Sequence, residues 1–152
     1  NVPTTITCAA KGRYARNALA RWAHRYGIKL NPSNMRDNDG DACSRAVLAA
    51  ASPAAAAAIS LALYRACWSE GKTLASTDDV LSAIAAAGLD PAIVGARIND
   101  PAVIAQLDAN TNEAAERGVF GSPTMFVGDT LFFGNDRLDF VREELARLED
   151  AA

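Results

Sequence analysis

Tyr14, Ala18, Trp22 and Tyr26 recur at helical spacing through residues 12–26, and Gly27 follows the last of them. That stripe predicts an amphipathic helix closed by a glycine at its C′ position. The polar stretch from Asn31 to Asp41, rich in Asn, Asp and Pro, then predicts a loop. A second helix is expected from about Ala42 to Ala51. Ser52-Pro53 restarts the chain with serine as N-cap and proline in the first turn. Residues 53–69 carry Ile59, Leu63 and Cys67 on one stripe, and Gly71 closes that helix. Ser76 and Asp79 make a capping-box-like pair before Val80, Leu81 and Ile84, with Gly88 as the stop. Asp90-Pro91 and Asp100-Pro101 each read as an N-cap before a first-turn proline, the second helix running to about Arg117.

At Gly118 the pattern changes. Residues 119–134 are aromatic and β-branched, with two apolar runs around Gly128-Asp129, which predicts a hairpin with strands near 124–127 and 130–133. Asn135-Asp136 should cap a last helix from Arg137 to about Leu148, with Leu138, Val141 and Leu145 as its apolar stripe. The chain thus reads as a mostly helical part, 1–117, and a strand-strand-helix part, 118–152. Two strands are marginal as an independent sheet, so the hairpin is expected to pair with another chain or with a segment preceding Asn1.

Composition narrows the classes. The 152 residues are 50% hydrophobic and 22% charged, an ordinary globular balance. A net charge of −3 argues against nucleic acid as a partner. No apolar run is long enough to span a membrane, and no secretory signal pattern is visible. The 3 cysteines, Cys8, Cys43 and Cys67, form no C-x-x-C pair, so they read as free thiols of a reducing, cytoplasmic compartment. The 1 histidine, His24, lies between Arg21 and Arg25 and reads as part of a solvated face, so no metal site is expected.

Two short segments carry candidate chemistry. Gly121-Ser122-Pro123-Thr124 leads into a strand, and a proline in that setting predicts a cis bond in a tight turn. The amide and carbonyl of Ser122 would then face outward and could pair with an extended peptide. The alternative is an edge-strand proline with no ligand. Phe133-Gly134-Asn135-Asp136 leads into a helix, whose free amides attract a carboxylate, while Asp136 could meet an ammonium. Ordinary N-capping is the alternative there.

The segment VFGSPTMFVGDTLFFGNDRLDFVREEL resembles the C-terminal part of the 2-hydroxychromene-2-carboxylate isomerases, relatives of kappa-class glutathione transferases. NVPTT, KGRYARNALARWAHRYGI, LYRACWSEGK and TDDVLSAI are similar to successive upstream blocks of that family. The resemblance implies an α/β thioredoxin-like fold with a large helical insertion, of which this chain would be the insertion and the last strand-strand-helix unit. It further implies glutathione as cofactor. Ser122 and Pro123 would pair with the cysteinyl part, Phe133, Gly134, Asn135 and Asp136 would hold the γ-glutamyl end, and Asn1 would add a contact. Where the family has Val or Leu before the cis-proline this chain has Ser122, and where close relatives often have Trp-Trp it has Phe132-Phe133.

The family's activating serine, on an N-terminal strand-helix-strand segment, matches no position here. The resemblance therefore leads us to expect about 50 preceding residues, in a domain of about 200. The implied activity is glutathione-dependent cis–trans isomerisation of a small aromatic substrate by a homodimer. A kappa-like glutathione transferase, a disulfide oxidoreductase of the same superfold and a non-catalytic helical interaction module are the competing readings.

Overall fold

In the computed structural model, which describes residues 7–150, helix α1 spans Ala9–Tyr26 and ends on Gly27 at φ 64°. It begins earlier than the aromatic stripe alone indicates. Ala9 and Ala10 are strong helix formers, and the Gly12 amide already donates to the Cys8 carbonyl at 2.9 Å. Asn1, one of the residues implied by the resemblance, lies outside the described residues.

Helix α2 spans Gly40–Leu48, a correction at both ends to the expected Ala42–Ala51. Its cap is Asp39, inside the stretch read as a loop, whose carboxylate accepts from the Ala42 amide at 2.8 Å. Helix α3, Pro53–Trp68, starts as expected, with the Ser52 hydroxyl accepting from the Ala55 amide at 3.2 Å. Helix α4, Thr77–Ala86, carries the expected box: Ser76 Oγ accepts from the Asp79 amide at 3.2 Å and donates to its carboxylate at 2.7 Å. Helices α5 (Ala92–Arg97) and α6 (Pro101–Glu116) follow the two Asp-Pro pairs. Asp90 and Asp100 accept from the Ala92 and Ala102 amides at 2.9 and 2.8 Å.

The chain divides into two compact units, Asn1–Leu107 and Asp108–Ala152, the division falling inside α6. In the first unit α2, α3 and α4 pack against one another. Ala42, Ala46 and Ala49 of α2 meet Ile59, Leu63, Ala66 and Cys67 of α3 and Val80, Ala83 and Ile84 of α4, with Leu74, Val94, Ile98 and Val103 completing the core. Small alanines let the helix backbones approach while the branched side chains fill the space between them. The polar stretch before α2 is tied down. The Asn31 and Ser33 amides donate to the Trp68 and Cys67 carbonyls, each at 2.7 Å. The Asn38 side-chain carbonyl accepts from the Leu74 amide at 2.7 Å. A 3-10 turn, Met35–Asp37, lies within this stretch.

The second unit holds the end of α6, strands β1 (Thr124–Val127) and β2 (Thr130–Phe133), and helix α7 (Leu138–Glu149). Both strands fall where the sequence pattern puts them, antiparallel, with Thr124 opposite Phe133 and Val127 opposite Thr130. Among the described residues β1 and β2 pair only with each other. Asn135 and Asp136 do not cap the last helix, which corrects the sequence reading. They form a 3-10 turn, Asn135–Arg137, and α7 starts at Leu138 with no side-chain cap. Arg137 Nη1 donates to the Asp136 carboxylate at 2.8 Å, so that carboxylate is paired with a side chain and not with a helix amide.

Candidate functional site

In the second unit the hairpin brings together the two segments singled out in the sequence. The Ser122-Pro123 bond is cis. The Pro123 carbonyl accepts from the Gly134 amide at 2.9 Å, one step beyond the Thr124–Phe133 pair. That bond continues the hairpin register and sets the Ser122 turn beside the Gly134–Asp136 turn. Thr124 Oγ1 donates to the Gly121 carbonyl at 2.6 Å and closes the loop on its other side. Ser122 and Pro123 are exposed, and Ser122 has no hydrogen-bond partner among the described residues. Its amide and carbonyl therefore present one donor and one acceptor, the pattern that an extended peptide matches.

Two glycines permit this arrangement. A Cβ on Gly121 would lie 2.7 Å from Phe133 Cε2, so only glycine lets that ring pack over the loop. Phe133 also tilts against Phe120, with ring centroids 4.6 Å apart. Gly134 has φ 104°, and a Cβ there would lie 2.6 Å from Asp136 Oδ1. The Asp136 carboxylate is thereby folded back over the turn while remaining about half exposed, as does its partner Arg137. A carboxylate and a guanidinium side by side match the ammonium and carboxylate of an α-amino acid head group.

Arg117 holds this unit together with almost no local signature in the sequence. Its guanidinium lies 3.6 Å from the Phe126 ring centroid, donates to the Gly128 carbonyl at 3.3 Å and pairs with Glu113 at 3.3 Å. It fastens the end of α6 to the hairpin. A cation just before Gly118, followed by an aromatic strand, is the only trace of it in the sequence.

The first unit holds a separate feature, a cavity of about 350 Å³ between α2 and α3. Met35, Val47, Leu63, Tyr64 and Trp68 supply its apolar wall, and Cys43, Cys67, Ser44 and Ser60 its polar points. Burial pushes the Cys43 thiol up to about 11, with Cys67 and Asp39 adding to the effect. Burial also raises Cys67, against a hydrogen bond from Ser33. Both are neutral thiols near pH 7, not ready nucleophiles. Among the described residues no cluster of His, Cys, Asp or Glu could hold a metal ion, and no helix is long and apolar enough to cross a membrane.

Residues 1–146 match the DSBA-like thioredoxin domain family. The chain is 34% identical over 152 residues to a 2-hydroxychromene-2-carboxylate isomerase of Pseudomonas putida, covering 96% of this chain and 71% of the relative. It is 33% identical over 128 residues to the enzyme of that name from Sphingobium xenophagum, covering 84% and 64%. A third relative of that name, from Pseudomonas sp. (strain C18), is 33% identical over 142 residues, covering 90% and 63%. The chain thus spans less than two thirds of the second and third relatives. A solved 2-hydroxychromene-2-carboxylate isomerase superposes with a TM-score of 0.78 at 28% identity, covering 96% of this chain and 71% of that one. These coverages do not by themselves bear out the preceding segment expected from the sequence.

Proposed function

The chain belongs to the DSBA-like thioredoxin family and, within it, to the 2-hydroxychromene-2-carboxylate isomerase family, and from this membership we propose that it acts as a glutathione-dependent cis–trans isomerase on a small aromatic substrate of the 2-hydroxychromene-2-carboxylate type. The thioredoxin-like fold with its helical insertion is the frame for that activity. The relatives' shared name supports the isomerase reading. The observation that carries glutathione is the 2.9 Å bond from the Gly134 amide to the Pro123 carbonyl. It sets a free peptide edge, Ser122, beside a paired carboxylate and cation, Asp136 and Arg137, and the donor set fits a γ-glutamyl peptide.

In this reading Ser122 pairs through its backbone with the cysteinyl part of the cofactor. Phe133, Gly134 and Asn135 shape the turn that receives the γ-glutamyl end. Asp136 meets the ammonium of that end and Arg137 its carboxylate, and both give up their mutual ion pair. Because that pair is exposed, it is worth little, and exchanging it for ligand contacts costs correspondingly little. Asn1 joins this set on the resemblance alone. When bound, glutathione supplies a thiolate that adds reversibly to a conjugated double bond and is returned unchanged. Cys43 and Cys67 do not supply it, since burial keeps both protonated. The reading extends to a homodimer in the cytoplasm, as the resemblance implies.

Calorimetric titration with glutathione tests the site. The unaltered protein should bind, and Asp136→Ala should bind about tenfold more weakly, the size of a lost charge-assisted bond. Equal affinities would remove Asp136 from the site. Turnover of a hydroxychromene carboxylate should leave the glutathione concentration unchanged. Depletion in step with product would instead make the protein a transferase.

A further inference from the structure

Charge is spread unevenly along this chain. Seven of the 15 Lys and Arg residues lie in the first 36 positions, and none of the 18 Asp and Glu residues does. Helix α1 carries Lys11, Arg13, Arg16, Arg21 and Arg25 and no acid. The net charge of −3 thus conceals a cationic segment on an acidic remainder. Among the described residues no carboxylate forms an ion pair with Arg13, Arg16, Arg21 or Arg25. The cations continue past the end of the helix. A hydrogen bond from Lys72 pulls the Glu70 carboxyl below its ordinary range, and Lys29 and Arg65 add to the effect, so the carboxylate there is outnumbered.

The same helix has an apolar side. Tyr14, Ala18, Trp22 and Tyr26 succeed one another at i, i+4, and Leu19 lies seven residues before Tyr26. Arg16 and Arg21 fall on the two borders of that stripe and Arg13 on the opposite face. No residue of α1 is buried, and Tyr14, Leu19, Trp22 and Tyr26 are exposed. Tyr14, Ala18 and Trp22, with Arg21 and Arg25, line a cleft of about 300 Å³ in which a phosphate would meet two guanidinium groups beside an apolar wall.

The rings decide which anionic surface fits. Trp22 and Tyr26 stack on each other with centroids 5.4 Å apart, and the Arg25 guanidinium lies 5.3 Å from the Trp22 centroid. A ring engaged in this way offers little face for a nucleic-acid base to stack on. A lipid surface needs no open face. Tyr and Trp set their apolar bodies toward the acyl chains and their polar tips at head-group level, while flanking cations meet the phosphates.

We propose that α1 is an interfacial helix that seats the protein on an anionic phospholipid surface, with Tyr14, Leu19, Trp22 and Tyr26 toward the acyl boundary and Arg16 and Arg21 on the phosphates. The helix lies on the bilayer and does not cross it, since no described helix is long and apolar enough to do so. Neither glutathione nor turnover enters this inference, so it stands apart from the isomerase reading.

Co-sedimentation of the whole protein with lipid vesicles tests it. The protein should sediment with vesicles of phosphatidylglycerol and phosphatidylcholine in equal parts, stay in solution with phosphatidylcholine alone, and be released by high salt. Arg16→Gln should lower the partition about fivefold, and the pair Arg16→Gln and Arg21→Gln about 25-fold, the effect of one and of two cations at such a surface. Glutamine keeps the helix, which circular dichroism checks. Arg142→Gln, the same change of charge on α7, should leave the partition unchanged. The vesicles should shift tryptophan emission to the blue, and Trp22→Tyr should abolish that shift, although Trp68 remains. The proposal is overturned if the protein does not sediment with the anionic vesicles or sediments equally with phosphatidylcholine. It is overturned too if Arg142→Gln weakens binding as much as Arg16→Gln, if the blue shift survives Trp22→Tyr, or if duplex DNA or polyglutamate binds more tightly than the vesicles.

Discussion

The two units are stabilised in different ways. In the first, three helices close on a continuous core running from Ala42 to Val103, with Val80, Ile84 and Ile98 fully buried. In the second, Val127 is the one buried hydrophobic residue among those described, while Phe120, Phe133, Leu138 and Phe140 are exposed. Its order rests on hairpin pairing, on the Gly134–Pro123 bond and on Arg117 over Phe126. Helical packing makes a scaffold from side chains, whereas the candidate glutathione site is made largely from backbone and tight turns. The former tolerates polar surface changes, and the latter depends on single glycines.

The strongest way to break this contrast is to excavate each unit. Ile84→Ala should cost about 2–5 kcal/mol in urea unfolding, because it leaves a cavity among fully buried neighbours. Val127→Ala, with fewer atoms lost and a thinner surround, should cost about 1.5 kcal/mol. Equal costs would mean that the second unit has a core as continuous as the first. Gly134→Ala should cost about 1 kcal/mol in stability, yet lower glutathione affinity more than Asp136→Ala does. The added Cβ would collide with Asp136 Oδ1 at a φ that L-residues avoid. Titration then ties the effect to the first unit. The folded Cys43 thiol titrates above the unfolded one, so the unfolded chain loses its proton first as pH rises. Stability should be full below about pH 9 and fall as pH climbs toward 11. Cys43→Ala should flatten that fall, with Cys67 contributing what remains in the same direction. The smallest effect is expected at Arg142→Ala, which removes an exposed pair with Asp139 and should leave the urea midpoint where it is.

Much of the fold was legible because its signals are local. Ser52, Ser76 and Asp100 cap helices where serine or aspartate precedes an apolar stripe. The hairpin follows from strand-forming residues either side of Gly128-Asp129. The local pattern misleads where a polar side chain has two partners to choose between. Asp39 looked like loop and proved to be a cap. Asp136 looked like a cap and proved to be paired with Arg137. The hydrogen bonds from the Asn31–Asp41 stretch to α3 and Leu74 have no local signature at all, since their partners lie more than 30 residues away.

The chain's own order of residues determined the helices, the strand positions, the cis-proline turn and the family. Those depend on propensity, capping and turn chemistry within a few residues, which any sequence displays. Tertiary structure alone decided that the Asn31–Asp41 stretch is bonded to α3 and to Leu74, that Arg117 lies over Phe126, and that α2 and α3 enclose an uncharged cavity with its serine protons turned inward to the helix. Each of these is a meeting between separate elements or a choice of which way a hydroxyl points. Such choices are settled only when packing fixes both partners at once.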